Sequence, residues 1–301
     1  MNAQSKRIIA LLTIVLIASG CTDGETQSEG PSTNPVKIDF EVIPSDDIIS
    51  QQPVTAQMTV ENTGQNNAEN AVAKLFGPAW LNSKNDDTRK MDFGTLEASS
   101  ETSFPVNDRT EFDAPEVDSG RTSSYNIQAQ VIYEYLSSAR TNFKFVSRER
   151  FRDQGYSLGT ADIENSDGPI QLGIRGQTPI RYNPGEGIPE EEVCVTVENK
   201  GSGTPFTGSA GSVLSDGRID KADGKNQVTV SITTNSGVTA ELADDEDNTV
   251  DLIDGDRGWV CYDISANTGA NAETTLELNI EAGYKYLEET STGMTVQGEL
   301  R

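Results

Sequence analysis

Two stretches of almost the same sequence, Thr59-Val-Glu-Asn-Thr-Gly64 and Thr196-Val-Glu-Asn-Lys-Gly201, decide how this chain folds. Each closes a stretch in which apolar and polar residues alternate, a pattern that indicates a half-buried β-strand ending in a turn. A second matched pair follows in the same order, Tyr133-Glu-Tyr-Leu136 and Tyr284-Lys-Tyr-Leu287. Two landmarks repeated in the same order indicate that one structural unit occurs twice.

The sequence around these landmarks predicts strands and hardly any helix. The longest alternating stripe of each unit ends on the Tyr-x-Tyr landmark, with apolar positions at Tyr125, Ile127, Ala129, Val131, Tyr133 and Tyr135 and at Leu276, Leu278, Ile280, Ala282, Tyr284 and Tyr286. We expect turns at 137–139 and 290–293, after which the last strand of each unit folds back. Roughly seven short strands in a unit are typical of an immunoglobulin-like β-sandwich.

The chain length of 301 residues fits two such domains. We therefore predict an all-β protein with two tandem immunoglobulin-like β-sandwiches, divided as a signal peptide (1–20), a disordered tether (21–35), the first sandwich (36–150), a linker (151–167) and the second sandwich (168–301). The landmarks of the second unit lie 14 residues further apart than those of the first. We place this extra length in surface loops between residues 216 and 256.

The N-terminus resembles a lipoprotein signal peptide. A short basic segment with Lys6 and Arg7 precedes the apolar run 8–18, which at 1.5 Å per residue is too short to cross a bilayer core. Small residues then lead into Cys21, which the resemblance implies is lipidated, although Ala18 stands where such signals usually have leucine. The alternative is an ordinary secretory signal with an incidental cysteine. The polar segment that follows favours the lipoprotein, because it makes a flexible tether.

The chain is strongly acidic, with 48 Asp and Glu against 23 Lys and Arg, and removal of Lys6 and Arg7 takes the net charge from −25 to −27. Such a field repels nucleic acid and anionic lipid surfaces, so no nucleic-acid partner is expected. A partner attracted by charge would be a cation or a basic protein. Because the acidic residues are dispersed along the chain, the composition favours a salt-adapted (halophilic) protein over one that specifically binds calcium.

The chain contains no histidine. Ser-His-Asp and Cys-His catalysis and histidine-type zinc sites are therefore excluded, and an enzyme would need a lysine or carboxylate base. The segment Gly208-Ser-Ala-Gly211 lacks the spacing of a nucleophile elbow. We predict no catalytic residue and no enzyme activity.

Strand alternation makes a specific prediction for Cys194 and Cys261. Val193 and Val195 point to the core, so Cys194 points outward, and the same argument turns Cys261 outward between Val260 and Tyr262. An exported protein with two remaining cysteines favours a disulfide, and two outward positions place it across neighbouring strands of one sheet. The alternative is a pair of free thiols.

The densest group of carboxylates is the candidate metal site. Calcium is bound by several converging oxygen atoms, which a loop of this composition could supply. The alternative is a solvated acidic hairpin, which the absence of EF-hand spacing favours. The candidate ligands are Asp244, Asp245, Asp247, Asp251, Asp254 and Asp256.

The Val-Glu-Asn-x-Gly and Tyr-x-Tyr landmarks together resemble the tandem immunoglobulin-like modules of archaeal surface proteins. These are the CARDB-like adhesion domains and the β-sandwich repeats of S-layer-associated proteins, and the likeness covers residues 36–301. The resemblance implies a cell-surface structural or adhesive role and carries no catalytic residues.

We therefore expect an exported protein, anchored by lipid to the outer face of the cytoplasmic membrane, that contacts other surface proteins or an S-layer. No cofactor is expected apart from the calcium candidate. The alternative function is a surface binding lipoprotein that captures a small ligand, glycan or cation for a membrane complex. A cleft lined by Trp80, Trp259 or tyrosines would favour that alternative.

Overall fold

The computed structural model describes residues 31–84, 89–104, 111–183, 190–235, 238–243, 247–266 and 273–299. The predicted signal peptide and Cys21 lie outside the described residues. The described part belongs to one compact unit, Pro31–Arg301. The prediction of an all-β sandwich is confirmed, because strands dominate every part of this unit.

The largest sheet, here called the central sheet, has the strand order β18-β16-β20-β8-β4-β5, with β10 and β13 pairing with β8, and β15 and β2 pairing with β20. Its strands are β2 (Ile48–Ile49), β4 (Ala68–Phe76), β5 (Lys90–Leu96), β8 (Thr122–Ser147), β10 (Ile163–Asn165), β13 (Ile180–Tyr182), β15 (Thr204–Phe206), β16 (Gln227–Thr234), β18 (Thr249–Asp251) and β20 (Glu273–Gln297).

Two four-stranded sheets pack against the central sheet. The first small sheet contains β1 (Val36–Ile43), β3 (Pro53–Asn62), β6 (Ser100–Phe104) and β7 (Glu111–Asp113), and the second contains β11 (Ile170–Arg175), β14 (Glu191–Asn199), β17 (Val238–Leu242) and β19 (Arg257–Ala266). A two-stranded ribbon joins β9 (Gly159–Thr160) and β12 (Gln177–Thr178).

The helical segments of the described residues are short: α1 (Ala79–Asn82), α2 (Arg148–Gln154), α3 (Ala210–Asp216) and a 3₁₀ turn (Lys221–Asp223). None of them is long and apolar enough to cross a membrane. Helix α2 begins at the cap Ser147, whose hydroxyl accepts a hydrogen bond from the Arg150 amide, and it ends at Gly155, which has a left-handed backbone.

The two longest strands cross both halves of the chain. All 25 residues of β20 pair with β8 in one antiparallel ladder, from Glu273 opposite Val146 to Gln297 opposite Thr122. The turns predicted at 137–139 and 290–293 are therefore wrong, because both segments continue as strand. A physical reason is visible in the sequence, since the first segment lacks the Gly, Asn or Asp that the favoured two-residue hairpin turns contain.

This ladder has an internal two-fold symmetry. Glu134 pairs with Lys285, which lies 151 residues further along, and the same interval separates Tyr133 from Tyr284 in the two landmarks. Each of these residues thus occupies the same place in its own repeat. A pseudo-two-fold axis therefore passes between Glu134 and Lys285, and each long strand contributes one end to each half of the molecule.

One hydrophobic core serves both halves. Alternate residues of β8 and β20 face the two small sheets, so that Val131 and Phe143 of β8 belong to the same buried cluster as Met58 of β3 and Val195 of β14. Among the described residues, this cluster extends across the predicted boundaries at 150 and 168, and the predicted linker 151–167 contains the end of α2 together with β9 and β10.

Among the described residues, a second buried cluster covers the outer face of the central sheet on one side of the axis. Residues of the segment 204–219 pack on Val72, Ile132 and Leu287 in a second small cluster, and these residues are Phe206, Val213, Leu214 and Ile219. Phe206 and Thr229 pair with β20 at the places where Glu69 and Val72 pair with β8, so the extra length of the second unit lies between Phe206 and Thr229 and begins earlier than predicted. On the other side of the axis, Gly283 stands at the position equivalent to Ile132, and Leu136 is exposed.

Candidate functional site

The structure explains why the two landmarks occur together. The amide nitrogen of Asn62 donates hydrogen bonds to the carbonyls of Asn66 (2.9 Å) and Leu96 (3.0 Å), while its oxygen accepts one from the Gly64 amide (3.0 Å). A Cβ atom at Gly64 would collide with the hydroxyl of Tyr135. The loop of the Asn-x-Gly landmark therefore packs against Tyr135, the second tyrosine of the Tyr-x-Tyr landmark.

The second repeat contains the same arrangement. Asn199 donates to the carbonyls of Gly203 (3.0 Å) and Gly255 (3.2 Å), and its oxygen accepts a hydrogen bond from the Tyr286 hydroxyl (2.9 Å). A Cβ atom at Gly201 would collide with that hydroxyl and lie 2.7 Å from Cβ of Pro169. In both repeats, the residues of the two landmarks therefore contact one another and stabilise the fold.

Four tyrosines form a cluster at the pseudo-two-fold axis. Tyr133 lies beside Tyr286, with ring centroids 5.8 Å apart, and Tyr135 lies beside Tyr284 at 6.4 Å. The Tyr133 hydroxyl donates to Glu288 (2.7 Å), and the Tyr284 hydroxyl is 2.8 Å from the Ser137 hydroxyl. Ser137 and Glu288 are equivalent positions of the two repeats, so the two bonds are related by the axis.

Burial changes the acidity of this cluster. Burial raises the pKa of Tyr135 to about 12, although a backbone hydrogen bond at Asn66 works in the opposite direction. Burial also raises the pKa of Tyr133, Tyr284 and Tyr286, and it raises that of Glu288 although the hydrogen bond from Tyr133 lowers it. The four rings pack on one another, and the Tyr133 and Tyr286 hydroxyls bond Glu288 and Asn199, which is the arrangement of a structural cluster.

The predicted disulfide is confirmed. Cys194 pairs directly with Cys261 across β14 and β19, and their sulfur atoms are 2.01 Å apart. Val193, Val195, Val260 and Tyr262 are buried on the opposite face, as the alternation of the strands predicts. The only group of three or more metal-binding side chains among the described residues is Glu192 with these two cysteines. Because the sulfur atoms are joined in the disulfide, this group is not a metal site.

The acidic candidates for calcium do not converge where the structure describes them. Asp244 and Asp245 lie outside the described residues. No three of the other four, Asp247, Asp251, Asp254 and Asp256, come together in a group that could hold an ion. Asp247 accepts a hydrogen bond from the Thr249 amide (2.7 Å) and Asp251 one from Gln227 (2.9 Å). Calcium binding by the whole set stays a prediction.

The two tryptophans differ in their surroundings. Trp80 packs at the edge of the core against Phe112 and Tyr125, with ring centroids at 5.6 and 5.9 Å. Trp259 is 48% exposed on the outer face of the second small sheet, where the guanidinium of Arg175 lies 5.6 Å from its ring centroid. Trp80 thus packs at the edge of the core, whereas Trp259 presents an aromatic surface to solvent.

Trp259 lines an open groove of about 330 Å³ between β18 and β19, here called the Trp259 groove. Ile253, which is 59% exposed, is its second apolar surface, and Asp247 and Asp251 supply its charge. The described residues that line it are Asp247, Thr249, Val250, Asp251, Ile253, Gly258, Trp259 and Val260.

A tight turn fixes one wall of the Trp259 groove. Asp254 and Gly255 both have positive φ angles, 54° and 77°, and the Asp256 amide bonds the Ile253 carbonyl (3.0 Å), which defines a type I′ turn. Asn199 holds this turn through the Gly255 carbonyl, so the Asn-x-Gly landmark also supports the groove. The pair Asp254-Gly255, which is typical of a type I′ turn, was the sequence signal that could have predicted this part of the groove.

Gly258 allows the two strands to approach closely. A Cβ atom at this position would lie 2.5 Å from the carbonyl oxygen of Asp251 and 2.6 Å from Cγ1 of Val250. Any side chain would therefore separate β18 from β19 at the base of the groove. Neither Gly258 nor Ile253 was singled out in the sequence, because a lone glycine and a lone isoleucine in strands are common.

A second cleft, of about 370 Å³, lies on the outer face of the central sheet beside the pseudo-two-fold axis. Two of its charged groups already pair, since Lys285 lies 3.6 Å from Glu134, and Glu134 also accepts a hydrogen bond from the neighbouring Asn70 side chain at 3.1 Å. Because these polar groups are satisfied within the chain, the cleft offers less for a ligand than the Trp259 groove does.

Comparison with known proteins adds little. No model of a known protein family matches this chain, and the comparison with curated proteins finds no match. Among solved structures, the chain has a weak similarity to Escherichia coli alpha-2-macroglobulin activated by porcine elastase, with 7% sequence identity and a TM-score of 0.16. The similarity covers 87% of this chain and 32% of that one.

Proposed function

We propose that this chain is a non-enzymatic, lipid-anchored cell-surface protein with a structural or adhesive role exerted through contacts with other surface proteins or an S-layer. The observation that supports this most is the continuous pairing of β8 with β20. At about 3.4 Å per residue, a ladder of this length extends for about 80 Å. Because this ladder joins both halves in one continuous sheet, it makes the molecule rigid. Rigidity suits a protein with a structural role in contact with other surface proteins.

The proposed location rests on the sequence and on the disulfide. Cys21 is the proposed site of lipidation and the segment 21–35 the proposed tether, which places the folded part on the outer face of the cytoplasmic membrane. The Cys194–Cys261 disulfide is compatible with such an oxidising location. The proposal that the chain is not an enzyme rests on the absence of histidine and of catalytic motifs from the sequence.

The anchor is tested by a Cys21→Ser substitution in a host that processes lipoproteins. We expect the unmodified chain to incorporate labelled fatty acid and to partition into detergent, and the variant to do neither. A Ser19→Ala variant controls for general effects on export, since it leaves the cysteine in place. A Cys21→Ser protein that still carries fatty acid would contradict the proposed anchor.

The surface role is tested by crosslinking in native membranes. We expect a membrane-impermeable crosslinker on intact cells to join the chain reproducibly to the same few surface proteins, and a soluble chain without residues 1–35 to compete for them. If the crosslinker joins the anchored chain to no other protein, the structural and adhesive role is wrong.

A binding lipoprotein is the second candidate, and the Trp259 groove favours it. An exposed aromatic ring beside carboxylates is suited to a sugar or to a cationic group. Equilibrium binding of neutral oligosaccharides to the mature chain would support the sugar-binding form of this candidate, provided that Trp259→Ala abolishes the binding.

A further inference from the structure

The Trp259 groove has the chemistry of a site for a positively charged side chain. One wall is an aromatic face, and a cation over an indole ring is the strongest cation–π pair that proteins make. The charged residues that line the groove are Asp247 and Asp251, and none of the described lining residues is basic. A lysine or arginine entering the groove would therefore meet the ring and both carboxylates together.

The ring already binds a guanidinium within the chain. Arg175 lies over Trp259 at 5.6 Å and does not line the groove. With Arg175 over its ring, Trp259 is still 48% exposed and lines the groove. The wall opposite is held by the type I′ turn and by Asn199, so the groove is formed before any partner arrives.

The charge of the whole molecule favours the same occupant. With a net charge of −25, the chain attracts basic surfaces at long range and repels acidic ones. The groove is open to solvent and Ile253 is exposed at its edge, which suits an extended segment lying across the surface.

We propose that the Trp259 groove binds a lysine- or arginine-containing segment of a basic protein partner. The basic side chain lies on the Trp259 ring and pairs with Asp247 and Asp251, while an adjacent apolar group contacts Ile253. This inference rests on the proposed function, since it names the chemistry of the surface partner. The proposal names a basic side chain as the occupant of the groove. Binding of a neutral sugar in its place is an outcome that would contradict it.

The test measures binding of a fluorescein-labelled peptide, in which lysines are separated by glycine and serine, to the mature chain at constant ionic strength. We expect Trp259→Ala and the double variant Asp247→Asn with Asp251→Asn each to weaken binding by roughly tenfold. Asparagine keeps the acceptor oxygen of each side chain, so the hydrogen bonds from Thr249 and Gln227 persist. Trp259→Phe, which keeps an aromatic face, should retain most of the affinity.

The matched control removes the same charge elsewhere. Asp39 and Asp153 are exposed and lie outside the groove, so Asp39→Asn with Asp153→Asn should change the affinity less than twofold. Equal losses in both double variants would show that the peptide senses only net charge, and would overturn the proposal. Undiminished binding of a peptide with acetylated lysines, or competition by neutral oligosaccharides, would also overturn it.

The outcomes separate this inference from the proposed function. If no groove variant loses affinity while crosslinking on intact cells still joins the chain to surface proteins, the groove assignment fails and the surface role stands. If the groove binds the basic peptide but the anchored chain crosslinks to nothing, the surface role fails and the groove assignment stands.

Discussion

At the scale of single residues, the two glycines of the landmarks are tightly constrained positions. Gly64 and Gly201 have room for no side chain, because the hydroxyls of Tyr135 and Tyr286 occupy the space that a Cβ atom would need. The recurrence of the landmarks in both units therefore has a physical cause in this chain, because each places a buried tyrosine against a loop held by asparagine.

The close contact at Gly201 is testable by substitution. We expect Gly201→Ala to lower the free energy of unfolding by about 2 kcal/mol, in the range measured for overpacked sites. Removal of the colliding hydroxyl in Gly201→Ala with Tyr286→Phe should recover part of this loss relative to Tyr286→Phe alone. Gly159→Ala is the control, because nothing lies within 4 Å of a Cβ atom there. Urea unfolding gives all four values, and equal stability of Gly201→Ala and Gly159→Ala would refute the argument.

The tyrosine cluster predicts a loss of stability in alkali. The folded protein raises the pKa of Tyr133, Tyr135, Tyr284 and Tyr286 above the value of about 10 of an unfolded chain, so above pH 10 the folded state retains protons that the unfolded state loses. Stability is therefore complete below pH 10 and falls between pH 10 and about 12, the pKa of Tyr135.

Each buried tyrosine should contribute a slope of about 1.4 kcal/mol per pH unit in that range. We expect Tyr284→Phe to reduce the total slope by the contribution of one group, in urea unfolding curves recorded at successive pH values. Tyr284→Phe keeps the buried ring, so packing is retained while the titrating group is lost. A slope that does not change in this variant would show that the cluster does not titrate as described.

At the scale of elements, the long strands β8 and β20 decide the architecture. Every second residue from Ile127 to Phe145 in β8 is buried, with no change of face along the strand, although Gln130 and Ile132 on the other face are also buried. This unbroken period was the sequence signal against a turn at 137–139, since a tight turn normally interrupts the alternation. Polar Ser137 in the middle of the stripe favoured the turn, but in the structure its hydroxyl bonds Tyr284 inside the cluster.

An engineered disulfide tests the continuous ladder. Ser124 lies directly opposite Thr295, with hydroxyl oxygens 3.4 Å apart, so Ser124→Cys with Thr295→Cys should form a bond that joins the beginning of β8 to the end of β20. A strand folded back at 290–293 would carry residue 295 away from Ser124. Mass spectrometry after alkylation counts the free thiols.

The control pair for this disulfide is Ser124→Cys with Thr292→Cys, because Thr292 lies opposite Ile127. We expect this pair to remain reduced under the same oxidation. Free thiols in the Ser124 and Thr295 pair would show that the two strands do not pair along their whole length.

At the scale of the whole molecule, the halves share one core, so they should unfold together. The buried cluster contains residues of both halves. In addition, β8 and β20 pair along the whole length of β20, so each long strand contributes to both halves. We expect a single cooperative transition by every spectroscopic probe. Two separate tandem domains would instead show two transitions whenever their stabilities differ.

Cleavage between the halves is the sharpest test at this scale. The segment 155–158 is largely exposed after α2, so a protease site inserted after Ser157 should be cut without harm to the sheets. We expect both fragments to remain associated in size-exclusion chromatography under native conditions, because the ladder between β8 and β20 holds them. The uncut protein with the same insertion is the control, and dissociation into two folded fragments would contradict the shared core.

The sequence by itself determined the strands, the face that each side chain presents and the pairing of Cys194 with Cys261, because these depend on a period of two residues that is local to each strand. Only the tertiary structure decided whether the long strands turn back or continue. The local pattern pointed both ways, since the period of two residues continues through 137–139 while polar Ser137 interrupts the apolar stripe. The choice depends on contacts between residues far apart in sequence, above all those of Tyr133 with Glu288 and of Ser137 with Tyr284 across the pseudo-two-fold axis. The Trp259 groove also depends on tertiary contacts, because β18 and β19 belong to different sheets that meet only in the folded molecule.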